Sequence, residues 1–186
     1  MVDKQLHHSA YLALKAGKYD LAKKAFSELA AAGSPTAWTS LGWMYEHSAG
    51  VERSVRDAEN CYGKAIALGD VPANFYLARL LVGQKDYRKA FTYFSAAADL
   101  GHVPSIYWLG RSYLTGRGVD RDVSKAERYL KDAMDKGHLY ARRDYHRCRL
   151  GGAFGRRRLS DITGWMSALI GGSALALKDP NSDLLQ

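Results

Sequence analysis

The sequence predicts an all-α fold, a solenoid of repeated helix–turn–helix units, and three observations predict it. Gly33, Gly69, Gly101 and Gly137 recur at intervals of 36, 32 and 36 residues. An apolar ladder leads into each glycine: Ala22, Phe26, Leu29; Ala58, Tyr62, Ala65; Ala90, Phe94, Ala97; Ala126, Leu130, Ala133. Positions i, i+4 and i+7 share one face of an α-helix, and a glycine just beyond them is a helix C-cap. A second ladder precedes each of the later copies, running from Leu41-Gly42 to Tyr45, from Leu77-Ala78 to Leu81, and from Leu109-Gly110 to Tyr113.

Taken in order, the second, third and fourth units each begin with a helix entered through a proline. Pro35, Pro72 and Pro104 stand two or three residues past a capping glycine, where proline's fixed φ and missing N–H suit the first turn of a helix. The small residues Gly42, Ala78 and Gly110 let neighbouring helices approach closely, while the large side chains of the ladder fill the gaps between them. The first copy carries Ser9-Ala10 and Ala13 at these positions and loses the large residues, as a terminal repeat can. The connection to the second helix has two lengths. It is long in SAGVERSV and TGRGVDRDV, and four residues shorter in AGKYDL and VGQKDY, which accounts for the 32-residue interval. The second helix is the ladder that ends in glycine. A helical hairpin of this kind buries its apolar face only against its neighbours.

The segments LGWMY…GVERSVRDAENCYGKAIALGD and LGRSYLTGRGVDRDVSKAERYLKDAMDKGH resemble Sel-one-like repeats, a branch of the tetratricopeptide-like superfamily. The resemblance spans roughly residues 3–151 as four copies and part of a fifth. It implies a right-handed superhelix whose first helices line a concave groove, and a protein-binding scaffold rather than an enzyme. The expected organisation is repeats over 1–155, a divergent capping or amphipathic helix over 156–178, and a tail over 179–186.

Composition narrows the functional classes. The 186 residues are 47% apolar and 25% charged, an ordinary foldable mixture. The formal charge is +8, which favours acidic partners, anionic lipid or nucleic acid without selecting among them. Two cysteines, Cys61 and Cys148, fit a reducing compartment, and MVDKQLHHSAYLALKAGKYD has no h-region, so a cytoplasmic location is expected. No nucleophile–base motif, paired carboxylates or phosphate loop is present, so no catalysis, cofactor or small-molecule substrate is expected. Gly116 and Gly118 in TGRGVD are read as turn glycines. The string Asp144, His146, Cys148 is not read as a metal site, because helix residues two apart point about 200° from each other.

Binding is sought on the first helices, opposite the ladder. In register, one column reads His7, Thr39, Phe75, Tyr107, Arg143, and the next reads Tyr11, Trp43, Arg79, Arg111, Arg147. Rings and arginines are the usual anchors of interfaces. Two readings stand: a groove for an acidic or aromatic-bearing peptide, or rings packed on adjacent helices and arginines paired with acids. Tyr11, Trp43, Phe75, Arg79, Tyr107, Arg111, Arg143 and Arg147 are the candidate groove residues.

The positive charge is localised. Residues 139–158 hold seven arginines against one acid, Asp144, a net +6 of the chain's +8. Arg156, Arg157 and Arg158 adjoin Ile162–Leu177, sixteen residues without a charge that include Trp165, with small residues every four positions from Ser160 to Ala176. This segment is expected either to cap the repeat array or to dock on an anionic membrane surface or an apolar partner. The function expected is a non-enzymatic adaptor that holds a partner protein or peptide, with an anionic membrane surface as a second docking partner. A nucleic-acid-binding module is the alternative, disfavoured because the charge gathers at one end.

Overall fold

A computed structural model describes residues 2–154. The expected segment over 156–178, the tail over 179–186 and the residues Arg156, Arg157, Arg158 and Trp165 lie outside the described residues. Those described form nine α-helices and no strands, in two compact units. The first unit, Met1–Leu100, holds α1 (Val2–Lys15), α2 (Tyr19–Ala31), α3 (Pro35–Glu46), α4 (Val55–Ala67), α5 (Val71–Gly83) and α6 (Tyr87–Asp99). The second, Gly101–Gln186, holds α7 (Val103–Thr115), α8 (Val123–Asp135) and α9 (Leu139–Leu150).

In the first unit the helices pair as three hairpins, α1 with α2, α3 with α4 and α5 with α6. Helix α2 also packs on α3, and α4 on α5. The ladder residues make this core: Ala22, Phe26, Leu29, Ala58, Tyr62, Ala65, Ala90, Phe94 and Ala97 are all buried. Burying each ring contributes about 1.5–3 kcal/mol, so the repeated aromatic position is the main anchor of each hairpin. Helix α5 is buried over most of its circumference, from Ala73 to Ala78 and at Leu80 and Leu81, because helices cover it on several sides. In the second unit α7 packs on α8 and α8 on α9, with Ala126, Leu130 and Ala133 in the same core positions.

The small residues act as the sequence indicates. Gly42 is buried against the Tyr62 ring, and a β-carbon there would meet ring carbons at 2.7 Å. Gly110 meets Leu130 in the same way, at 2.8 Å. Gly33, Gly69, Gly101 and Gly137 all have φ between 82° and 90°, the left-handed region glycine enters without penalty. Three of these ends share one hydrogen-bond pattern: Ser34 N–H donates to Leu29 O, Asp70 N–H to Ala65 O and His138 N–H to Ala133 O, satisfying carbonyls the helix leaves open.

The two long connections are built alike. Arg53 Nε donates to Glu46 O, and Ser54 caps α4 through Asp57 N–H. Arg121 Nε donates to Leu114 O, and Asp122 caps α8 through Lys125 N–H. Gly116 (φ 72°) and Gly118 (φ 79°) supply the turn between them. In the short connections the left-handed position is Gly17 in the first copy and Lys85 in the third, at φ 70° and 67°.

Candidate functional site

Helices α1, α3 and α5 carry the candidate residues of the first unit, and α7 and α9 those of the second. In the first column a residue on one first helix reaches the residue that caps the next. His7 Nε2 lies 2.7 Å from Ser34 Oγ, and Ser34 precedes α3. The Thr39 hydroxyl donates to the carboxylate of Asp70, which precedes α5. The Tyr107 ring stacks on His138, which precedes α9, with centroids 4.5 Å apart.

This corrects the expected exposure of that column. Thr39, Phe75 and Tyr107 are buried, because the next repeat's helix start lies over Thr39 and Tyr107, and Phe75 packs on Phe94 of α6 and on Tyr76. The direction of these side chains was legible in the helical period. What covers them was not.

The second column lies nearer solvent. In the first unit, Tyr11 is half-buried with Lys15 Nζ 5.1 Å from its ring centre. Trp43 is half-buried and stacks on His47 at 4.4 Å. Tyr11 Oη and Trp43 Nε1 are themselves buried and make no hydrogen bond in this structure. Arg79, also half-buried, lies 5.8 Å over the Phe75 ring.

In the second unit the candidates converge on one carboxylate. Asp144 is buried; Tyr107 Oη donates to its Oδ2 at 2.9 Å, while Arg143 Nε (3.3 Å) and Arg147 Nη2 (3.2 Å) reach Oδ1. Arg111 sits over both Tyr107 and Trp108, at 5.8 and 5.2 Å. Burial, then the Asp144 charge, push the Tyr107 hydroxyl up to about 12, so it stays a donor, while Arg111 acts in the opposite direction. Arg149, one of the clustered arginines, is instead tied inward to Glu127 and to Phe154 O, both at 3.0 Å. It joins α9 to α8, a role the charge count did not show.

One further feature carries no signal in the sequence, a cleft of about 330 Å³ between α2, α3 and α4. Trp38, Leu41, Tyr45 and Cys61 line it, and Lys64 Nζ lies 4.1 Å over the Trp38 ring. Its walls come from three helices, so no single periodicity marks it. Burial pushes the Cys61 thiol up to about 11, which keeps it protonated and a poor nucleophile near neutrality. Among the described residues no group of His, Cys, Asp and Glu could hold a metal ion, and no helix is long and apolar enough to cross a membrane.

Comparison with known proteins agrees with the repeat register. The Sel1 repeat family matches residues 39–70, 71–102 and 103–138, just over half the chain, and a tetratricopeptide repeat matches residues 9–50. Protein SHC1 of Saccharomyces cerevisiae is 35% identical over 91 residues, which cover 47% of this chain and 18% of that protein. The chain therefore spans less than a fifth of that relative's length. Among solved structures, a Sel1 repeat protein from Oxalobacter formigenes superposes with TM-score 0.72 at 20% identity, over 80% of this chain and 61% of its own. The protective antigen c5321 of uropathogenic Escherichia coli superposes with TM-score 0.76 at 20% identity, over 95% of this chain and 42% of its own. These two likenesses concern the fold. Repeats of this kind generally mediate protein–protein interactions and typically form non-enzymatic scaffolds. With three consecutive repeats matched and the helical hairpins in the same register, the chain belongs to the Sel1 repeat family.

Proposed function

We propose that this protein is a non-enzymatic adaptor that holds an acidic partner protein or peptide on the faces of its first helices. The observation that carries the reading is the second column. Trp43 and Arg79 in the first unit, and Arg111 and Arg147 in the second, remain half-buried or exposed, as does Arg143 at the end of the first column, although Thr39, Phe75 and Tyr107 are consumed by packing. Half-buried rings beside guanidiniums are the composition of interface anchors.

The test is the triple variant Arg79→Glu, Arg111→Glu, Arg147→Glu, compared with wild type for partner capture from the native host. Capture is expected to be lost at unchanged helicity; capture that survives the reversal overturns the reading. Salt-sensitive binding to a mixed oligonucleotide, abolished by the same variant, would favour the nucleic-acid alternative.

A membrane contribution rests on the sequence alone, on Arg156, Arg157 and Arg158 beside the uncharged stretch that contains Trp165. Each such cation near an anionic leaflet contributes about 1 kcal/mol. Co-sedimentation with acidic liposomes at low salt is expected of the full chain and not of one ending at Gly155; equal behaviour of the two sinks the idea.

A further inference from the structure

We propose that Arg111, Arg143 and Arg147 of the second unit form a recognition site for the carboxylates of an acidic peptide segment, with Asp144 holding two of the guanidiniums in place. The proposal rests on the adaptor reading and names the ligand chemistry for one part of it.

Charge balance is the first argument. Elsewhere in this unit four cations are each paired with one acid: Lys125 with Asp122, Lys131 with Asp135, Lys136 with Asp132 and Arg149 with Glu127. Around Asp144 two guanidiniums share one carboxylate whose oxygens are both already engaged, and a third, Arg111, lies over the Tyr107 ring that donates to it. The Asp144 side chain is 4% exposed, whereas those of Arg143 and Arg147 are 48% and 66% exposed. A guanidinium carries five N–H donors in a rigid plane. Asp144 takes one or two from each of these arginines, so the rest face solvent from side chains already held in position. Ordering two long side chains before the ligand arrives removes an entropy cost from binding.

Geometry supplies the second argument. Arg143 and Arg147 are one helical turn apart on α9, about 6 Å along the axis, a spacing that neighbouring acidic side chains of a peptide can match. Paired N–H donors suit the two oxygens of a carboxylate. The nearby rings are already occupied by cations: Arg111 lies over Tyr107 and Trp108, and Arg143 lies 5.2 Å over Tyr140. Strand-binding proteins need open aromatic faces on which bases stack, so the arrangement favours an acidic peptide over nucleic acid.

The experiment measures anisotropy of fluorescein-labelled hexaglutamate, and of a labelled RNA hexamer, with the full chain at fixed ionic strength. The double variant Arg143→Gln, Arg147→Gln is expected to lose about tenfold in hexaglutamate affinity, as removal of charge-assisted contacts implies. The pair Lys24→Gln, Arg56→Gln, exposed on α2 and α4, makes the same charge change and is expected to stay within about twofold, since it removes only diffuse attraction. Equal losses from the two pairs overturn the site, as does RNA binding at least as tightly with the same dependence on Arg143 and Arg147. If the double variant loses helicity, Arg147→Gln alone replaces it, with an expected loss of about threefold from a single exposed contact. A chain that ignores hexaglutamate yet captures its partner removes this site and leaves the adaptor reading standing.

Discussion

The Thr39 hydroxyl donates to the Asp70 carboxylate, so a buried side chain of α3 is joined to the residue that starts α5, one repeat further on. Thr39→Val keeps the shape and removes the donor, leaving the carboxylate less well satisfied. A loss of about 1–3 kcal/mol is expected in urea unfolding near neutral pH. Burial raises the Asp70 carboxyl above its usual value, while the Thr39 hydroxyl and the Ala73 N–H pull it down. A carboxyl with a raised folded-state pKa binds its proton more tightly in the native protein than in the unfolded chain. Its contribution to stability is therefore fully present below the unfolded value and is lost as the pH rises through the folded one. Asp70→Asn cannot titrate, so its Tm is expected to lose ground to wild type as the pH falls from about 7 to about 3. A Tm difference that stays constant over this range contradicts the assignment.

Two glycines on neighbouring helices should respond to alanine in opposite directions. At Gly42 the added methyl meets the Tyr62 ring at 2.7 Å, and that ring is fully buried and cannot retreat. Overpacking of this kind costs about 1–3 kcal/mol. At Gly63, inside α4, the same methyl meets nothing within 4 Å. There alanine is expected to stabilise by about 0.5–1 kcal/mol, through the helix preference it carries over glycine. Thermal melts of both single variants test the pair, and similar shifts in the two would show that the α3–α4 approach is not tight.

Lys85 occupies a left-handed position, φ 67°, that Gly17 fills in the equivalent short connection of the first copy. The two turns are otherwise alike. Lys18 N–H donates to Ala13 O as Asp86 N–H donates to Leu81 O, and Gly17 N–H to Leu14 O as Lys85 N–H does to Val82 O. Lys85→Gly relieves the β-carbon crowding of that conformation at some cost in unfolded-state entropy. A net gain of about 0.5–1 kcal/mol is expected. A loss of stability on denaturant titration would mean that the lysine side chain supports the turn in a way its backbone does not reveal.

The sequence by itself determined whatever depends on a residue and its near neighbours in the chain. Ala22, Phe26 and Leu29, and their counterparts around Tyr62, Phe94 and Leu130, share a helix face because of the α-helical period alone, and that face is buried. Gly33, Gly69, Gly101 and Gly137 end helices because a left-handed residue is needed there and glycine enters that region freely. The prolines mark helix starts for an equally local reason. Tertiary structure decided the fate of the other faces. His7, Thr39 and Tyr107 were legible as a column pointing away from the ladder, but whether they meet solvent depends on where the next repeat begins, and it begins on top of them. Arg147 and Arg149 are alike as letters two apart, yet one lies exposed beside Asp144 and the other is locked against Glu127 and Phe154 O. Helical periodicity sets the direction of a side chain, and only the packing of a neighbouring helix supplies the carboxylate, ring or solvent that the side chain finds there.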